Sequence, residues 1–126
     1  MKQNLLLSIT SVLSILLMTF HLADDIVHGF EGGAATLFAL PVLAVWLYGA
    51  LALADRRSGC VIMLLGSLLG MLVPVLHLTG TRIGEIASSS GGFFFLWTLI
   101  ALGVTALISA ILSLRGLWNL RRTTAN

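Results

Sequence analysis

Four uncharged apolar runs dominate this chain. They cover residues 5–23, 34–54, 60–78 and 93–114, and none contains Lys, Arg, Asp or Glu. Each is 19–22 residues long. As a helix, a run of that length covers about 30 Å, the thickness of the bilayer hydrocarbon. Backbone at that depth must satisfy its own hydrogen bonds, so the runs are expected to be helices. Composition closes off the alternatives. Only 10% of the residues are charged and 58% are hydrophobic, whereas a soluble domain carries about 25% charged residues. Water-soluble enzymes, nucleic-acid binders and disordered tails are therefore excluded.

The expected fold is all-α: a single domain of four transmembrane helices in an up-down antiparallel bundle. The connections at 24–33, 55–59 and 79–92 are short, which favours antiparallel neighbours. Charge sorts by side. Lys2, Arg56, Arg57, Arg115, Arg121 and Arg122 fall on one side with Asp55. Asp24, Asp25, Glu31 and Glu85 fall on the other with Arg82. The positive-inside rule then puts both termini and the Arg56–Arg57 connection in the cytoplasm of a bacterial inner membrane. Phe93, Phe94, Phe95 and Trp97 are expected at the outer interface, and Trp118 at the inner one. A secretory signal is a weaker reading of the first run, because His21 takes the −3 position before Asp24 where a small residue is needed.

The single cysteine, Cys60, allows neither an internal disulfide nor a Cys-x-x-Cys pair. A proton-coupled transporter would need a carboxylate in mid-membrane, and no run holds one. Chemistry is left to one constellation. His21, Asp24, Asp25 and His28 stand at i, i+3, i+4 and i+7. On a helix they share an arc of roughly 100°. Glu31 comes close to that face if the helix continues that far. The same stripe runs back through Met18, Ser14 and Thr10, and a polar stripe in lipid turns toward the bundle interior.

His77 comes from another run. Counted from the inner ends at Leu5 and Cys60, His21 and His77 both lie about 25 Å up the span. Pro74 is expected to kink the third helix, freeing the Gly70 carbonyl to line a polar pocket. Imidazole with carboxylate suits zinc, and also iron, manganese, nickel or copper. The expected metal ligands are His21, Asp24, Asp25, His28 and His77, of which His21, Asp25, His77 and His28 would complete a four-coordinate zinc. Two other uses of His21 and His77 stay open: axial ligation of a b-type haem, and a proton or quinone site. The rival class is a non-catalytic membrane subunit whose polar cluster only fixes helix packing or a partner contact.

Other features read as packing or anchoring. Gly66 and Gly70 form a Gly-xxx-Gly pair, expected in internal packing or in a homodimer contact. The lipid bilayer is the expected partner of Arg115, Arg121 and Arg122, at about 1 kcal/mol per residue toward anionic lipid.

Overall fold

The computed structural model describes residues 2–29, 33–80 and 83–124. Among them 91% are helical and none is in a strand. The helices are α1 (Lys2–His28), α2 (Gly33–Ala52), α3 (Arg57–Leu78), α4 (Ile83–Ser88) and α5 (Gly92–Thr124). Asn4–His28, Arg57–Leu78 and Gly92–Arg122 are each long and apolar enough to cross a membrane, and Leu37–Ala52 is a shorter apolar helix. Glu31 and Arg82 lie outside the described residues.

α1, α3 and α5 outrun the apolar stretches that announced them, whereas α2 stops at Ala52, two residues short of residue 54. α1 does not stop at residue 23 but continues through Asp24, Asp25 and His28. Nothing before Gly29 breaks it, and Gly29 ends it in the left-handed conformation, φ +68°, which glycine adopts without steric cost. The connection at 79–92 holds a helix of its own, α4. α5 runs on past residue 114 to Thr124 and ends in the basic turn of Arg121 and Arg122. Hydropathy locates the part of a helix that suits lipid, whereas caps and breakers decide where it stops.

Contacts fix how the helices meet. α1 and α5 are stitched by Ser11–Ser109 at 2.7 Å and Ser14–Thr105 at 3.0 Å. Partner numbers fall along α5 as they rise along α1, so these two helices run in opposite senses. Ser8 Oγ donates to the Ala50 carbonyl at 2.8 Å, and Asn4 Nδ2 donates to Asp55 Oδ1 at 2.7 Å, tying α1 to α2 and to the turn after it. α2 enters the core through Leu43, Trp46 and Ala50. Trp46 lies over Gly66, where any Cβ would collide with the indole. Gly70 packs on Trp46 and Ala106. The Gly-xxx-Gly pair is thus used within the chain. Pro74 is buried, its ring against Gly103. Gly70 is about 10 Å down α3 from His77, too far to line a site there.

The distribution of polarity is the reverse of a soluble protein's. Ser11, Ser14, His21, Asp25, Ser67, Thr98, Ser109 and Ser113 are buried. Leu5, Leu16, Leu65, Leu69, Ile100 and Leu107 are exposed. Leucine turned outward costs nothing in lipid, and polar groups turned inward find one another there. The inward stripe of α1 is rotated slightly from the expected one. Thr10 is only half-buried and bonds to its own helix at the Leu6 carbonyl, 2.9 Å away, while Ser11 takes the buried position.

Candidate metal centre

His21, Asp25 and His77 meet at the end of the helices opposite Asn4 and Asp55. Each offers a ligand atom, and these atoms lie within 4.8 Å of one another. His21 Nε2 is 3.7 Å from Asp25 Oδ2, and His77 Nε2 is 3.8 Å from the same oxygen. The two rings stand edge to face, centroids 5.0 Å apart at 83°. His21 and Asp25 are each 2% exposed, so their polar atoms have no water to turn to. His77 keeps about a fifth of its side chain exposed.

The far nitrogens of both imidazoles are committed, and that fixes what the near ones can do. His77 Nδ1 is 2.9 Å from the Val73 carbonyl, one turn back on α3. A carbonyl only accepts, so Nδ1 carries a proton, and in the neutral imidazole Nε2 carries the lone pair. His21 Nδ1 is 3.4 Å from Thr98 Oγ1 on α5. The Thr98 hydroxyl already donates to the Phe95 carbonyl at 3.0 Å, so it accepts from His21 Nδ1–H. In that tautomer His21 Nε2 is also a lone-pair atom, with no hydrogen-bond partner among the described residues. Three acceptor atoms, two imidazole nitrogens and a carboxylate oxygen, therefore face one another in a buried space. At 3.7 and 3.8 Å the two nitrogen–oxygen separations are too long for hydrogen bonds. Acceptors crowded together repel unless a cation lies between them.

A metal fits that requirement. Zinc bonded at about 2.0–2.1 Å to imidazole and carboxylate holds its ligand atoms roughly 3.3 Å apart. The two nitrogen–oxygen separations, 3.7 and 3.8 Å, need a closure of a few tenths of an ångström, and all three ligand atoms lie within 4.8 Å of one another. The bonds from Nδ1 to Val73 and Thr98 are the outer contacts that orient metal-ligating histidines and raise their basicity. Phe95 backs both rings, its centroid 4.7 Å from that of His21 and 5.6 Å from that of His77.

Asp24 and His28 stand apart from this group. They lie on the other edge of the α1 arc and engage each other. His28 Nδ1 is 3.3 Å from Asp24 Oδ1 and donates to the Asp24 carbonyl at 3.0 Å. The His28 ring lies against Gly91, where a Cβ would sit 2.7 Å from its Cε1. Periodicity groups residues on a face but does not say which neighbour each edge of that face meets.

Two contributors came from α5. Phe95, expected with the interfacial aromatics, is fully buried under the histidines, while Phe93, Phe94 and Trp97 are exposed. Thr98 begins a line of hydroxyls, Thr98, Thr105, Ser109 and Ser113, spaced at seven, four and four residues. That helical spacing was a readable signal of an inward polar face. Comparison of the chain with protein-family models, with curated proteins and with solved structures finds no match.

Proposed function

We propose that this protein is a four-helix integral membrane protein of the bacterial inner membrane that binds a divalent transition metal through His21, Asp25 and His77. The observation that carries the metal is the convergence of three acceptor atoms with both histidine Nδ1 atoms already engaged. Zinc suits the donor set best, with iron, manganese, nickel and copper as the other occupants. Three protein ligands leave one position open, the arrangement of a metal that also meets water or a small molecule.

The membrane reading draws on the apolar helices and on the outward-facing leucines. α2 serves as the fourth span, antiparallel to α1 and α3. Asn4 and Asp55 share an end, and Arg56, Arg57, Arg115, Arg121 and Arg122 belong to that same end in a bundle of this topology. Arg122 lies over the Trp118 ring, 5.4 Å from its centroid, a pairing suited to the headgroup layer. The positive-inside rule makes that end cytoplasmic, so the metal site opens near the periplasmic face. A b-type haem suits the site poorly. The imidazoles are edge to face at 5.0 Å with Asp25 Oδ2 close to both Nε2 atoms, which leaves no slot for a macrocycle.

The test is a cobalt(II) titration of the purified protein in detergent. One equivalent of cobalt, giving visible absorption that zinc then abolishes, is the expected result. Protein that takes up no cobalt and no zinc would return the cluster to a packing or partner-contact role.

A further inference from the structure

A cavity of about 390 Å³ opens beside the three ligands, between α1, α2 and α3. That volume is within the range of small-molecule sites, about 300–1,000 Å³. Its polarity is graded along its length. His21, Asp25 and His77 line one end, and Trp46 and Leu69 line the other. From His77 to Leu69 is eight residues of α3, or about 12 Å. The walls between are apolar, and among them Phe38, Val42 and Leu72 are exposed. The mouth is therefore a lateral gap between α2 and α3, facing the medium that meets the leucine surface.

We propose that this cavity takes a single aliphatic chain with an oxygen-donor head, the head reaching the open coordination position of the metal and the chain lying along α3 toward Trp46. The proposal rests on the metal reading above. The size argues for one chain, since a volume of about 390 Å³ is spread along about 12 Å of α3 between largely apolar walls. The chemistry argues for an oxygen donor. His21 Nε2 and Asp25 Oδ2 are both acceptors, so a bare carboxylate or carbonyl is repelled without the cation and held with it. A lateral mouth lets the ligand arrive from the lipid without passing through water. Two sources share this chemistry, a medium-chain fatty acid and a prenyl or alkyl quinone.

The experiment uses the Trp97→Phe/Trp118→Phe variant in nanodiscs, so that Trp46 is the only tryptophan. Both replaced residues are exposed and away from the cavity. The zinc-loaded protein is titrated in one arm with a bromine-labelled decanoic acid and in the other with a decyl benzoquinone, both of which quench indole on contact. Zinc content is measured on the same samples. Saturable quenching in either arm is expected, and the arm that saturates identifies the source. Ala39→Phe, which fills the cavity, is expected to keep zinc and weaken saturable binding by about tenfold or more. His77→Ala is expected to lose both. Quenching that stays linear in both arms with zinc bound overturns the cavity proposal and leaves the metal reading standing. Saturable quenching undiminished in zinc-free His77→Ala overturns the link between head group and metal. Failure of the parent protein to bind zinc overturns the metal reading and the proposal with it.

Discussion

Ser11 and His21 lie on the same inward stripe of α1, and both are buried. Their surroundings differ in one respect. Ser11 Oγ meets Ser109 Oγ at 2.7 Å, and Ser14 Oγ, with one proton to give, lies 2.8 Å from the Thr10 carbonyl and 3.0 Å from Thr105 Oγ1. A hydroxyl donates and accepts, so such pairs complete themselves. Higher on the stripe, His21 Nε2 and His77 Nε2 each face Asp25 Oδ2, across 3.7 and 3.8 Å, and the His21 nitrogen has no hydrogen-bond partner among the described residues. The lower stretch is glue between two helices. The upper stretch leaves the His21 Nε2 lone pair without a donor among the described residues. Buried polar groups in a packed interior are normally satisfied; Trp46 Nε1 and Ser113 Oγ also lack a partner among the described residues, and what sets His21 apart is the convergence of two further ligand atoms on it.

The comparison can be broken most forcefully at the upper stretch. His21→Ala and His77→Ala should each weaken zinc binding by more than about 100-fold, beyond the cost of losing an orienting contact, as read by competition with a chromogenic chelator. Zinc binding by the unaltered protein should also weaken as pH falls, because protons compete for both Nε2 lone pairs. Next in size is an effect of opposite sign on stability. Without metal, the double variant His21→Leu/Asp25→Leu should resist SDS unfolding as well as the parent or better, by about 1–4 kcal/mol, since apolar side chains replace a buried polar pair. A marked loss would show that the cluster is glue after all.

The lower stretch should respond the other way. Ser11→Ala should destabilise by about 0.6 kcal/mol and at most about 1.7, with zinc affinity unchanged in the same chelator assay. The smallest effect is expected at Asp24→Asn and His28→Ala. Each should change stability by no more than about 0.5 kcal/mol and leave zinc affinity within a few-fold. A large loss of metal in either variant would enlarge the site beyond the three residues.

The parts of this site legible in the sequence were those set by helix geometry. Equal depth along two apolar runs paired His21 with His77, and the i, i+4 spacing placed Asp25 beside His21. What periodicity could not decide was azimuth. Asp25 and Asp24 are adjacent in the chain but lie about 100° apart around α1. The packing of α3 and α5 determines that one faces His77 and the other His28. Phe95 illustrates the same limit: within a run of three phenylalanines, hydropathy does not distinguish the one under the imidazoles from the two that face outward. The cavity was not legible either, because it depends on how α2 leans on Trp46 and Gly66.

The most direct test of the central claim is the X-ray absorption spectrum of the zinc-loaded protein at the zinc edge. The expected spectrum has a first shell of nitrogen and oxygen at about 2.0–2.2 Å with outer-shell scattering from two imidazoles, kept in His28→Ala, while His21→Ala and His77→Ala retain no stoichiometric zinc. A spectrum with no imidazole scattering, or one unchanged by the loss of His77, would contradict it.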